Sequence, residues 1–207
     1  MDMLSEGIVL CVSGPSGVGK GTVIQALLER HPEFRLSISM TTRKPRGLEK
    51  DGEHYYFCDK AKFESLIEEK EILEYDIYNN EYYGTPVGPI RQFLNEGQDV
   101  VLDITLAGSV QIKKLLPETV MVFLLPPSLD ELKNRLVKRQ TESPSAIEAR
   151  LRQAEVEMLH IHKFEYALIN DKIESTVDAL EAIVLAEKSR YNRQRKTIDK
   201  ILSELEK

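Results

Sequence analysis

Residues 8–22 read Ile-Val-Leu-Cys-Val-Ser-Gly-Pro-Ser-Gly-Val-Gly-Lys-Gly-Thr and constrain this chain more than any other stretch. The apolar run Ile8 to Val12 predicts a buried strand. A glycine-rich turn follows, and Val23, Ile24, Ala26, Leu27 and Leu28 then recur at helical spacing. Strand, turn and helix, with the spacing Gly14-x-x-x-x-Gly19-Lys20, are the parts of a phosphate-binding loop. Glycines let the backbone approach phosphate and aim its N–H groups inward. The helix start adds unpaired N–H groups and the positive end of a dipole. Lys20 supplies a point charge for the outer phosphates. Gly14, Pro15, Ser16, Gly17, Val18, Gly19, Lys20, Gly21 and Thr22 are therefore the expected triphosphate-binding residues. A bare glycine turn would be an ordinary connection; the lysine and the spacing set this one apart.

One position departs from the strict loop. Gly21 follows Lys20, where a Ser or Thr hydroxyl would meet Mg²⁺, and Thr22 comes one place later. The Gly-Lys-Gly-Thr variant resembles P-loop nucleoside monophosphate kinases, adenylate kinases among them.

A length of 207 residues suits one domain, or a core with small insertions. A net charge of −6 excludes a general nucleic-acid binder, so a phosphate site must be a local basic pocket. The two cysteines, Cys11 and Cys58, form no CxxC, and neither a disulfide framework nor a zinc site is implied. The opening Met-Asp-Met-Leu-Ser-Glu is acidic and is not read as a signal peptide. No apolar run approaches the ~20 residues of a membrane span. The expected location is cytoplasmic, with no nucleic-acid or membrane partner.

Further along, the first helix is predicted from Lys20 to His31, stopped by Pro32. Phe34–Ser39 reads as a strand, residues 40–54 as a polar loop and Tyr55–Phe57 as a short strand. Asp59 N-caps a helix with Phe63, Leu66 and Ile67 on one face. Ile72–Tyr78 and Glu81–Thr85 form a hairpin around Asn79-Asn80, and Pro86 opens a helix that ends at Gly97. Asp99–Ile104 is a buried strand carrying Asp103 near its carboxyl end, and Met121–Leu125 is another. Ser128 with Glu131 reads as a capping box for a helix through Arg139. A loop covers 140–145, a helix about Ala146–His162 and a last strand Tyr166–Ile169; a long helical pattern closes the chain. Its stripe of Tyr191, Ile198, Ile201, Leu202 and Leu205 would pack on the core or on another subunit, so a monomer or a homodimer is expected. Alternating strands and helices predict an α/β fold with a parallel sheet covered on both faces.

Several motifs together resemble the guanylate kinase family. They are Gly14–Lys20, Ser37-Ile-Ser-Met-Thr-Thr-Arg-Lys-Pro-Arg46, Gly52-Glu-His-Tyr-Tyr-Phe57, Glu74-Tyr75, Tyr82-Tyr-Gly-Thr85, Leu124-Leu-Pro-Pro-Ser128 and Ile169-Asn-Asp171. The resemblance implies a P-loop kinase with a five-stranded parallel core sheet flanked by helices, a small mixed GMP-binding insertion and a mobile lid. The core would cover about 1–33, 98–134 and 163–207, the insertion 34–97 and the lid 135–162. It implies transfer of the γ-phosphoryl of ATP to GMP, giving ADP and GDP, with Mg²⁺ as Mg-ATP.

By the same resemblance, Arg43, Arg46, Tyr55 and Tyr83 would hold the GMP phosphate, through guanidinium forks and phenol donors. Ser39, Glu74 and Thr85 would read guanine, and Asp103 would also lie at GMP. A carboxylate accepts both N1–H and N2–H₂ of guanine, whereas adenine leaves an acceptor facing it. Lys20, Arg43, Arg139 and Arg150 would be catalytic, Arg135 would serve as a lid arginine and Asn170 would lie near adenine. The chain departs from the family at Asp103-Ile-Thr-Leu-Ala-Gly108, where Thr105 replaces a second acid and Ala107 a common glutamine, and at Gln140. No direct metal ligand follows; Asp103, through water, is the one candidate. The alternatives are a paralogue with reduced activity or another nucleoside monophosphate acceptor, and a non-catalytic protein-binding module.

Overall fold

The computed structural model describes residues 7–138 and 144–205. The chain runs β1 (Val9–Ser13), α1 (Lys20–Arg30), β2 (Phe34–Leu36), β3 (Met40–Thr41) and β4 (Tyr56–Phe57). It continues through α2 (Lys60–Glu68), β5 (Ile72–Tyr78), β6 (Glu81–Pro86), α3 (Val87–Asn95), β7 (Asp99–Asp103) and α4 (Leu106–Leu115). The last elements are β8 (Val120–Leu125), α5 (Leu129–Lys138), α6 (Pro144–Met158), β9 (Tyr166–Ile169), α7 (Ile173–Lys188) and α8 (Tyr191–Glu204).

Five strands form an all-parallel sheet in the order β2-β7-β1-β8-β9. Every residue of β1 is buried, as a strand covered on both faces requires. Its side chains alternate between two cores. Leu10 and Val12 pack with Val23, Leu27, Val177 and Leu180 under α1 and α7. Val9 and Cys11 pack with Ile90, Leu94, Ile112 and Met121 under α3 and α4. Burial pushes the Cys11 thiol up to about 12, so it behaves as packing rather than as a nucleophile. The register pairs Val12 with Asp103 and Ser13 with Phe123, which sets the carboxyl ends of β7 and β8 beside the start of the phosphate loop.

A separate mixed sheet has the order β4-β3-β6-β5. Its β5–β6 hairpin turns at Asn79 and Asn80, both at positive φ, the requirement of a tight two-residue turn that Asn meets. Phe63 of α2 stacks on Tyr82 with ring centroids 5.0 Å apart and is fully buried. The α/β class, the five-stranded parallel sheet and the mixed insertion sheet agree with expectation.

Several local expectations need correction. The strand read as Phe34–Ser39 stops at Leu36, and β2 pairs with β7 in the core sheet. Met40–Thr41, placed in a polar loop by its composition, is strand β3 because it pairs with both β4 and β6. Tertiary pairing outweighs local preference there. The Ser128 hydroxyl accepts from the Glu131 N–H at 3.0 Å, but the Glu131 carboxylate turns to Arg135 instead of closing a capping box. The helix expected over 146–162 ends at Met158, and a 3-10 turn follows at Ile161–Lys163. The closing helical pattern breaks at Ser189–Arg190 into α7 and α8. Of the two packings expected for the α8 stripe, the core takes little of it: Ile198 is half-buried, whereas Tyr191, Ile201, Leu202 and Leu205 are exposed. The expected catalytic Arg139, and Gln140, lie outside the described residues.

Asp99 holds the far end of the core sheet together. It is 3% exposed, accepts from the Ile8 N–H at 2.9 Å and pairs with Lys188 at 2.6 Å. One carboxylate thus ties the start of β7 to the strand edge of β1 and to the last turn of α7. Asp99→Ala is expected to destabilise the protein by about 3 kcal/mol, since it orphans a buried N–H and an ammonium. Denaturant unfolding would measure this, and a loss near zero would show that the tie is idle.

Candidate active site

The phosphate loop is shaped by glycines at two tight places. Gly14 has φ +151°, and a Cβ on it would lie 2.5 Å from the Leu124 carbonyl oxygen of β8. Gly19 caps α1 at φ +101°, and a Cβ there would lie 2.8 Å from Asn170 Nδ2. No L side chain fits either position. Gly21 differs, because a Cβ there meets nothing within 4 Å. The first turn of α1 carries no acidic residue and its N-cap makes no side-chain bond, so the helix start keeps its positive character for an anion. Lys20 folds over the loop and donates to the Gly14 carbonyl at 2.8 Å.

Two side chains brace this loop from below. The Val18 carbonyl accepts from Asn170 Nδ2 at 2.8 Å and from Arg135 Nη1 at 3.1 Å. Asn170 is buried, and its Oδ1 accepts from the Thr176 hydroxyl at 3.0 Å. Arg135 also donates to the Asn170 carbonyl at 3.1 Å and to Glu131 at 2.9 Å. Asn170, expected near adenine, and Arg135, expected as a lid arginine, are thus engaged on the loop itself. Arg150 on α6 donates to the Ser16 hydroxyl at 3.4 Å, which brings a third expected residue to the loop.

Asp103 ends β7. Burial pushes its carboxyl up, and the nearby Lys20 charge pulls it down. Thr105 serves the fold, as the N-cap of α4, where its hydroxyl accepts from the Gly108 N–H at 3.2 Å. Among the described residues no three His, Cys, Asp or Glu side chains gather as a metal site.

A second cluster lies on the mixed sheet. Arg43 is 8% exposed, and its guanidinium lies 5.2 Å from the Tyr55 ring centroid and 5.8 Å from that of Phe57. Tyr83 packs edge-on against Tyr55, with ring centroids 6.1 Å apart. Arg43, Tyr55 and Tyr83 are therefore brought together, as expected, while the Arg46 side chain stays exposed. Glu49 was missed. It takes Arg43 in a two-point grip, Nη1 at 2.7 Å and Nη2 at 2.9 Å, and accepts from the Arg46 N–H at 2.7 Å. These bonds hold its carboxyl down at about 2. The available signal was an acid three residues after Arg46 and six after Arg43. In a loop read only for its cations, it passed as solvated charge.

Glu74 on β5 is buried and accepts from the Thr85 hydroxyl at 2.6 Å. Burial pushes its carboxyl up, and the Thr85 bond opposes the shift. Ser39 is half-buried at the entry to β3, where its carbonyl accepts from the Tyr56 N–H at 2.9 Å.

A braced phosphate loop at the carboxyl edge of a parallel sheet, with a separate Arg–Tyr cluster on an inserted sheet, defines a P-loop kinase of the nucleoside monophosphate kinase class. The guanylate kinase family model matches residues 6–187. The chain is 45% identical to a guanylate kinase of Lactobacillus johnsonii over 192 residues, covering 92% of this chain and 94% of that one. It is 42% identical to one of Caldanaerobacter subterraneus over 204 residues, covering 99% of each. The crystal structure of guanylate kinase from Anaplasma phagocytophilum superposes with a TM-score of 0.73 at 32% identity, covering 91% of this chain and 90% of that one. The chain belongs to the guanylate kinase family. No helix among its described residues is long and apolar enough to cross a membrane.

Proposed function

We propose that the two clusters divide the work of ATP:GMP phosphotransfer, the phosphate loop taking ATP and the mixed sheet taking GMP. The observation that carries this reading is Arg43. An arginine nearly buried among rings, and turned by a carboxylate at neutral pH, is built to present its remaining donors to a second anion. Tyr55, Tyr83 and the exposed Arg46 complete that phosphate seat. Glu74, with Thr85 and Ser39, reads the guanine edge.

The reaction forms a bond from a GMP phosphate oxygen to the γ-phosphorus and breaks the bond to the ADP oxygen. Such a transfer needs alignment and charge neutralisation more than covalent help. Lys20 and the N–H groups at the start of α1 steady the β- and γ-phosphates. Arg150, already at Ser16, supplies positive charge at the transferring group, as does Arg139 by family resemblance. Asn170 and Arg135 act on ATP through the loop they brace. Mg²⁺ fits the donors present, because a hard cation that keeps its waters needs only one or two carboxylates besides phosphate. Asp103, through water, would hold it, and it would supply charge neutralisation when bound. The cytoplasm, where both nucleotides are used, is the proposed location.

ADP formation with GMP, dGMP, AMP and UMP offered separately tests the reading, with Lys20→Ala as control. Turnover is expected with the guanine nucleotides and is lost in the control. Turnover of another base would overturn the Glu74 assignment, and ATP binding without transfer to any acceptor would favour a binding module. Glu49→Gln removes the charge that turns Arg43 but keeps the volume. It is expected to raise the GMP KM roughly ten- to hundred-fold, the worth of a charge-assisted hydrogen bond, with the ATP KM unchanged. Equal effects on both KM values would contradict a role confined to the GMP seat.

A further inference from the structure

Gly108 stands in the first turn of α4 at an ordinary helical φ, so nothing in its backbone conformation calls for glycine. Glycine inside a helix is unfavourable relative to alanine. The demand is spatial. A Cβ on Gly108 would lie 2.6 Å from Glu74 Oε2, 3.0 Å from its Cδ and 3.5 Å from its Cγ, its three nearest neighbours. Glu74 comes from β5 of the inserted sheet and Gly108 from a helix of the core, so this is where the two parts of the protein meet at the base-reading carboxylate. Glu74 is 7% exposed, and its other oxygen is fixed by Thr85 at 2.6 Å.

We propose that Gly108 is a positioning residue for base selectivity, its missing side chain seating the Glu74 carboxylate against the first turn of α4. The proposal rests on the reading of Glu74 as the group that accepts from guanine. An added methyl group would meet the movable end of a side chain rather than backbone. The fold therefore adjusts by displacing Glu74, and what is lost is the carboxylate's place. The Thr105 cap on the Gly108 N–H is a bond to backbone and survives the change. The start of a helix also favours the charged form of a carboxylate beside it, which the acceptor role requires.

Gly108→Ala, Glu74→Gln and the double variant form a cycle, assayed with GMP and with IMP, which lacks the 2-amino group. Gly108→Ala is expected to raise the GMP KM about ten- to hundred-fold, as loss of a charged hydrogen bond does, with kcat changed far less. It should narrow the preference for GMP over IMP, leave the melting temperature equal or higher, and add little in the Glu74→Gln background. A lowered melting temperature with a parallel fall in kcat, or an undiminished effect in the Glu74→Gln background, would assign Gly108 to helix packing and overturn the proposal. GMP and IMP kinetics untouched by Gly108→Ala but altered by Glu74→Gln would overturn it and leave the Glu74 reading standing. Kinetics untouched by either change would remove both.

Discussion

The carbonyl oxygen of Val18 accepts two hydrogen bonds, and the rest of the molecule can be followed outward from it. A loop that turns its N–H groups toward phosphate must turn carbonyls the other way, and a buried carbonyl without a partner is costly. Asn170 and Arg135 meet that need from two directions. Asn170 follows directly on β9, and Arg135 projects from the last turn of α5. The brace works because β1, β8 and β9 are held in register over a shared apolar core, and Gly14 can then press against the backbone of β8. Loop, sheet and α5 share one set of bonds, so strain at any of them reaches the phosphate loop.

The proposed second phosphate seat follows another logic. Glycines and a helix start make the first, where the backbone is the donor. Side chains make the second, and side chains need to be held. Arg43 is held by aromatic faces on its flanks and by Glu49 at one edge. Because the Arg43 and Arg46 bonds hold the Glu49 carboxyl down at about 2, its stabilising contribution is fully present above the ordinary carboxylate pKa and is lost as the pH falls from there to that low value. Arg43 is therefore oriented across the whole neutral range. Under the proposed function the substrates would thus meet two sites of different construction, one on each sheet, with Glu74 and Gly108 at the junction.

The sequence made some of this plain and hid the rest. The glycine spacing and Lys20 dictated the loop because backbone chemistry at phosphate tolerates few alternatives. The core strands were legible as unbroken apolar runs. Met40–Thr41 was not, because its strand exists only through pairing with segments far along the chain. Thr105 looked like the loss of an acid, and only the structure shows it capping α4. Asn170 and Arg135 were tied to the nucleotide by resemblance, yet their bonds run to the loop that holds it. Glu49 was overlooked because a carboxylate among cations looks solvated until its partner's burial is known.

Titration calorimetry of ADP and of GMP against three forms of the chain tests the central claim, that the two seats are built independently. Lys20→Ala is expected to lose most of the ADP affinity and to keep the GMP Kd within a small factor, and Arg43→Met to do the reverse. If either substitution weakened both ligands alike, the two seats would be a single coupled site and their independence would be refuted.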